Sequence, residues 1–227
     1  VLTVAPLVGK PAYVYEDLMP LARASITPHY LAARIDAPFR NAREMVAYAK
    51  SNPGKINFYS SGNGGLPHLT GELLNNVAGI QTVHIAYKGS APGMNDLIGG
   101  QVQLGYDTVA IGLQHIKTGR LRALGIVEGR RSKAASDIPT VAQAGVPGFA
   151  IPDQWIGIFG PAGLPANIAQ RINAEMNKTL ALPDVKAALE NIGYETIGGS
   201  PADFAAMVVD DQRKYQKLSE TIVLNVQ

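Results

Sequence analysis

Apolar and polar positions alternate through the middle of the chain with two periods, and the switch from one to the other repeats. Ile56 to Tyr59 reads as a short strand, and Leu69, Leu73, Leu74 and Val77 follow at helical spacing. Val83, Ile85 and Tyr87 alternate as a strand does, before Met94, Leu97 and Ile98 resume the helical spacing. Val102, Leu104 and Tyr106 alternate again and end at Asp107-Thr108, after which an apolar helical segment begins. Upstream, Asn41-Ala42-Arg43-Glu44 resembles a capping box, and Ala42, Met45, Val46 and Ala49 fall on one helical face. A helix is therefore expected to about Lys50, stopped by Pro53-Gly54. Downstream, Leu121 to Val127 reads as a strand and Thr140 to Ala144 as a short helix closed by Gly145. Such alternation predicts an α/β fold with a mainly parallel sheet and helices on its faces.

The last third of the chain has fewer strands. Ile151 to Phe159 is strand-like and ends in the turn Gly160 to Pro165, with Pro165 placed to open a helix. That helix is expected to turn Ile168, Ile172, Met176 and Leu180 inward, and a second one Val185, Ala188, Leu189 and Ile192. Ser200-Pro201-Ala202-Asp203 is a strong helix start, because serine caps, proline suits the first turn and aspartate favours the dipole. The final helix is expected to bury Phe204, Met207, Val208, Tyr215 and Leu218.

The three strand-to-helix loops carry the candidate chemistry. Open α/β sheets place ligands beyond the carboxyl ends of their strands, where helix N-termini present N–H groups to negative charge. The first loop offers Ser60, Ser61 and Asn63 as neutral donors, with Gly62 and Gly64 letting backbone N–H groups approach closely. The second offers Lys88, Gly89 and Ser90, and the third Asp107 and Thr108. His68, just before a helical run, either satisfies the loop and caps the helix or faces the ligand. Lys88 either supplies a positive field or is simply solvated. Asp107 beside a carboxylate would oppose it unless it orients loop N–H groups or receives an ammonium. Trp155 is expected to pack rather than to serve as a stacking platform.

Composition narrows the classes. The 227 residues allow one domain or two. A formal charge of +2 with interspersed signs and few aromatics offers no basic stripe, which sets nucleic acid aside. The cluster Arg130, Arg131 and Lys133 reads as a solvated loop. No apolar stretch approaches the roughly 20 residues of a spanning helix. There is no cysteine, hence no disulfide, thiolate metal site or cysteine nucleophile. The histidines show no paired spacing with carboxylates that suggests a metal site. No Gly-x-x-x-x-Gly-Lys-Ser/Thr or Gly-x-Gly-x-x-Gly opens a helix, and no Gly-x-Ser-x-Gly elbow would activate Ser60 with His68 and Asp107. No catalytic residue and no cofactor is assigned. An α/β enzyme using the glycine loops as a phosphate or cofactor cradle remains the alternative.

Tyr59-Ser60-Ser61-Gly62-Asn63-Gly64 through His68, Tyr87-Lys88-Gly89-Ser90-Ala91-Pro92, Asp96 to Gln103 and Tyr106-Asp107 closely resemble the Bug family of extracytoplasmic receptors of tripartite tricarboxylate transporters. Gly119 to Leu124, Asp137 to Val141, Gly145 to Phe149, Trp155 and Pro161-Ala162-Gly163 continue the resemblance in the family's order, so that it covers roughly Tyr15 to Lys217. It implies a two-lobed periplasmic binding protein of the class II-like type that closes on a small carboxylate and delivers it to the membrane subunits of the transporter. Residues 1–34 and 151–227 are then expected to form the first lobe and 35–150 the second, linked only across Leu31 to Asp36 and Phe149 to Ile156. Family members carry a longer N-terminal stretch with a Pro-Gly-Gly loop that walls the cleft. With no such loop, this sequence is expected to be N-terminally truncated, its first lobe incomplete. The family also implies a periplasmic location, although no signal peptide is legible.

Overall fold

The computed structural model describes Leu7 and residues 13–222. Among these, the chain builds two sheets. After a 3-10 turn at Tyr15–Asp17 come β1 (Leu18–Ile26) and β2 (His29–Arg34), then α1 (Ala42–Ser51), β3 (Ile56–Ser60), α2 (Leu66–Ala78), β4 (Thr82–Ala86) and α3 (Ser90–Gly99). β5 (Leu104–Thr108), α4 (Val109–Lys117) and β6 (Leu121–Ile126) complete this run. β7 (Trp155–Pro161), α5 (Ala166–Ala181), α6 (Pro183–Asn191), β8 (Glu195–Thr196) and α7 (Pro201–Ser219) follow.

The larger sheet has the order β4-β3-β5-β2-β6. β3 runs parallel to β4 and β5, whereas β2 is antiparallel to both its neighbours. Its side chains divide by strand parity between two cores. Leu31, Ala33, Ile56, Phe58, Leu104 and Tyr106 face α1 and α2. Tyr30, Ala32, Tyr59 and Ile126 face α3 and α4. At α1 the N-cap forms as read, Asn41 Oδ1 accepting from Glu44 N–H at 2.9 Å, but Glu44 Oε2 reaches one residue further back than a capping box requires and accepts from Arg40 N–H at 2.7 Å.

The smaller sheet, order β7-β1-β8, is antiparallel. Pro20 sits beside a register irregularity in β1, where a missing N–H is tolerated. Trp155 packs edge-on against Phe204 at 5.1 Å, and its indole N–H donates to Asp211 at 2.9 Å, so it is a packing residue tied to α7. Ser200 caps α7 by accepting from Asp203 N–H at 3.1 Å.

Several expectations move. His29–Arg34, assigned by sequence to the first lobe, is the strand between β5 and β6 in the larger sheet. The boundary at residue 34 therefore shifts back, and the chain passes between sheets at Thr27-Pro28 rather than across Leu31 to Asp36. The physical reason is burial on both faces, since Tyr30, Leu31, Ala32 and Ala33 are all inaccessible. The return passage is 151–154, and the two are joined where Thr27 N–H donates to Gln154 O at 2.8 Å. The short helix expected at Thr140 to Ala144 is a turn, because Thr140 is drawn into a bridge with Ile126. β5 starts at Leu104, leaving Val102 buried in the preceding turn. Ile168 and Ile192, expected inside, are 44% and 51% exposed, and α6 buries no residue.

Candidate functional site

The parallel pairing of β3 with β4 and β5 brings three strand ends to one edge of the larger sheet. Ser60 lies opposite Ala86, and Tyr59 opposite Gly105. The first two loops are stitched together, Tyr87 N–H donating to Ser60 O at 3.0 Å and Gly89 N–H to Ser61 O at 3.2 Å. The third joins through a side chain, the Tyr59 hydroxyl donating to Asp107 Oδ2 at 3.0 Å.

Glycine is required at two of these turns. Gly64 has φ +68° and Gly89 φ +103°, conformations that side chains rarely adopt. Gly65 and Gly89 are the N-caps of α2 and α3, and neither helix start is closed by a side-chain cap. The first N–H groups of a helix have no partner within it, so both starts direct donors and the positive ends of their dipoles to the loop edge. α4 differs: Thr108 caps it by accepting from Ile111 N–H.

The sequence candidates separate by depth. Ser61, Asn63 and Lys88 are exposed, and Gly62, Gly89, Ser90 and Thr108 half-buried, at the edge of the site. Ser60, Gly64, His68 and Asp107 are buried beneath them. Asp107 accepts from Tyr59 and from Thr108 N–H at 2.8 Å, an arrangement that fixes the third loop. His68 Nδ1 accepts from Gly64 N–H at 3.1 Å. Ser60 Oγ contacts His84 Nε2 at 2.6 Å and Gly62 O at 2.9 Å. Ser60, His68 and Asp107 thus each engage different partners, and no catalytic triad is assembled from them.

Two residues that sequence reasoning passed over complete the support. His84 on β4 stacks on His68 with ring centres 3.6 Å apart and planes 11° from parallel. Burial, and then the neighbouring His68, pull its pKa down to about 4, and burial lowers that of His68. Both imidazoles are neutral near pH 7. Tyr59 lies in a core so tight that a Cβ on Gly93 or Gly105 would collide with its ring. Its hydroxyl is held protonated well beyond its ordinary range, first by burial and then by Tyr30 and Asp107, so it remains a donor to Asp107. Tyr59 was visible as a loop-edge residue, but no polarity alternation marked it, because Phe58, Tyr59 and Ser60 are buried on both faces. Among the described residues no cluster of His, Asp and Glu has metal-binding geometry, and no helix is long and apolar enough to cross a membrane.

Comparison with known proteins places this architecture. Residues 1–224 match the model for the tripartite tricarboxylate transporter family receptor. A UPF0065 protein of Pseudomonas sp., in the tcbD-tcbE intergenic region, is 37% identical over 210 residues, 92% of this chain and 62% of that protein. The chain therefore spans under two thirds of that relative's length. Among solved structures, periplasmic binding protein BugD superimposes with a TM-score of 0.87 at 28% identity, covering 97% of this chain and 76% of that one. An R. palustris protein with adipate gives 0.84 at 29% identity, covering 90% and 68%. MatC from Rhodopseudomonas palustris, with bound malate, gives 0.84 at 26%, covering 94% and 74%. The two sheets and their crossings are those of a two-lobed periplasmic binding protein, and this chain belongs to the tripartite tricarboxylate transporter receptor family.

Proposed function

We propose that the protein is an extracytoplasmic solute receptor that captures a small carboxylate at the edge formed by Ser60 to Gly65, Lys88 to Ser90 and Asp107-Thr108, and passes it to the membrane subunits of a tripartite transporter in the periplasm. The observation that carries this reading is the pair of uncapped helix starts, α2 and α3, opening beside one another over neutral hydroxyl and amide donors. Such groups hold a carboxylate by charge-assisted hydrogen bonds, with Lys88 exposed at the edge beside them, so the ligand can leave again. Adipate and malate in the related structures support a dicarboxylate as the ligand class. Asp107, occupied by Tyr59 and Thr108, acts in this reading as an orienting group rather than as an ammonium receptor.

Calorimetric titration with adipate, malate, glutamate and ATP tests the proposal. Dicarboxylates are expected to bind and ATP is not. Ser61→Ala is expected to weaken adipate by about 1.5 to 3 kcal/mol if its hydroxyl meets the carboxylate, and Gly64→Val to abolish binding by straining the loop. Asp107→Asn is expected to weaken adipate and glutamate alike. Binding of ATP with no response to any acid would reverse the reading in favour of a phosphate cradle.

A further inference from the structure

The stacked imidazoles lie under the first loop and are not needed to contact a ligand. His68 is 2% exposed, on the first turn of α2, and His84 stands on β4 opposite Phe58, whose ring is 5.1 Å away. Each histidine holds a different part of the loop. His68 takes the Gly64 N–H, and His84 meets Ser60 Oγ, which itself bridges the N–H and C=O of Gly62 at 3.3 and 2.9 Å. A nitrogen that accepts a hydrogen bond must keep its lone pair, so His68 is bound to carry its proton on Nε2. Glu72 Oε1, 4.0 Å from Nε2, lies on the side where that proton is.

We propose that the His68–His84 stack is a proton-sensitive lock on the ligand loop: neutral, it pins Gly64 and Ser60 in the binding conformation, and protonation of His68 releases Gly64. The lock rests on the proposed site being the Ser60 to Gly65 loop. A proton on His68 Nδ1 converts the acceptor of the Gly64 bond into a donor, and two donors cannot share the position. A proton on His84 places a positive charge on a ring 3.6 Å from its neighbour, and a second protonation puts like charges face to face. Of the other ionisable groups around the pair, Glu72 faces the Nε2 side of His68 and so does not restore the Gly64 bond at Nδ1. Glu72, on α2, is shifted toward its neutral form by burial, though Asn75 donates to it at 3.2 Å. Tyr106, on β5, is fully buried and kept protonated. Asp107 is turned to Tyr59, and Asp96 to the Tyr87 hydroxyl at 2.6 Å. The stack is thus the part of the loop support whose protonation bears directly on the Gly64 and Ser60 contacts, with Glu72 titrating behind it.

Two readouts on the 227-residue chain test the lock. Nitrogen-15 NMR follows protonation of His68 and His84 and the exchange protection factor of the Gly64 amide from pH 7.5 to 3.5, and calorimetry follows adipate binding from pH 7.5 to 4.5. In the parent, Gly64 protection is expected to fall at least tenfold in step with imidazole protonation, and adipate affinity with it. His68→Asn places an amide oxygen, which does not titrate, at the position of Nδ1 as an acceptor for Gly64. Its Gly64 protection is expected to stay level, and its adipate affinity to fall only as far as protonation of adipate itself requires. His68→Phe is expected to lose Gly64 protection at every pH. Gly64 protection that is unchanged across the range in the parent, or equal in His68→Phe and the parent, would overturn the lock, whereas the proposed function stands or falls separately on adipate binding at pH 7.5. Gly64 protection that follows protonation in a protein that binds no acid would uphold the lock and defeat the proposed ligand.

Discussion

The side-chain amide of Gln154 donates to the Tyr215 hydroxyl at 2.7 Å, joining the return passage between the sheets to the last helix. Tyr215 is wholly buried, and although α7 begins over the smaller sheet, this ring packs into the core of the larger one with Leu31, Phe149 and Ile151. α7 therefore spans both sheets, and its C-terminal half belongs to the passage as much as 151–154 does.

Tyr215→Phe keeps the ring and leaves Gln154 and Pro152 O without this partner. Loss of this buried bond is expected to cost about 1 to 3 kcal/mol, read as a fall in the melting temperature of roughly 2 to 4 °C per kcal/mol for a chain of this size. Tyr215→Ala adds a cavity and is expected to cost about 3 to 5 kcal/mol. Equal midpoints for the parent and Tyr215→Phe would show that the hydroxyl contributes nothing.

Arg130 bridges elements that the sequence keeps apart. It donates through Nε to Asp153 at 2.9 Å and through Nη1 to Glu195 at 3.0 Å, and Glu195 is buried on β8. Arg130→Ala leaves that carboxylate to the Lys133 N–H, which donates to it at 3.1 Å. Since the guanidinium is partly exposed, the expected loss is about 1 to 3 kcal/mol, below the range for fully buried pairs. Arg130→Lys is expected to recover only part of it, because an ammonium cannot match the fork. Urea unfolding of the three proteins decides the order.

Gly105→Ala drives a methyl into the Tyr59 ring. Overpacking of this kind costs typically about 1 to 3 kcal/mol, and displacement of Tyr59 also removes a donor from Asp107. Both stability and adipate affinity are expected to fall. A variant that loses stability alone would separate Asp107 from the ligand site.

Stability is expected to decline as pH drops from about 6.5 toward 4. The folded pKa values of His68 and His84 lie below the unfolded one, that of His84 at about 4. At these two histidines the unfolded chain binds more protons within this window, so their contribution to stability rises with pH and is lost on acidification, while Glu72, Glu128 and Asp211, whose carboxyls burial pushes up, act in the opposite sense. Melting curves from pH 7.5 to 4 check the direction, and His84→Phe is expected to flatten the slope.

The loops were legible because their signals are local. Gly62, Gly64 and Gly89 mark backbone that only glycine supports, and the switch from alternation to helical spacing located β3, β4 and α2 to within a few residues. β1 and β2 were not legible for physical reasons: Pro20 and Pro28 interrupt the first run, and the buried Leu31-Ala32-Ala33 shows no polar face. The His68–His84 stack also escaped the sequence. It joins residues on different elements through pairing of β3 with β4, and no spacing along the chain announces it. Arg130, read as solvated, gained its partners from Asp153 in the return passage, 23 residues away, and from Glu195 on β8, 65 residues away.

The antiparallel insertion of β2 has a mechanical result. The chain enters the larger sheet through Pro28 and goes straight to an interior position, where Tyr30 lies in register with Asp107 and the Val109 N–H is held by Pro28 O at 2.7 Å. Under the proposed function, a swing of the smaller sheet about Thr27 is expected to pull on a strand bonded beneath the third loop, not on a rim, through the short stretch from Thr27 to Tyr30.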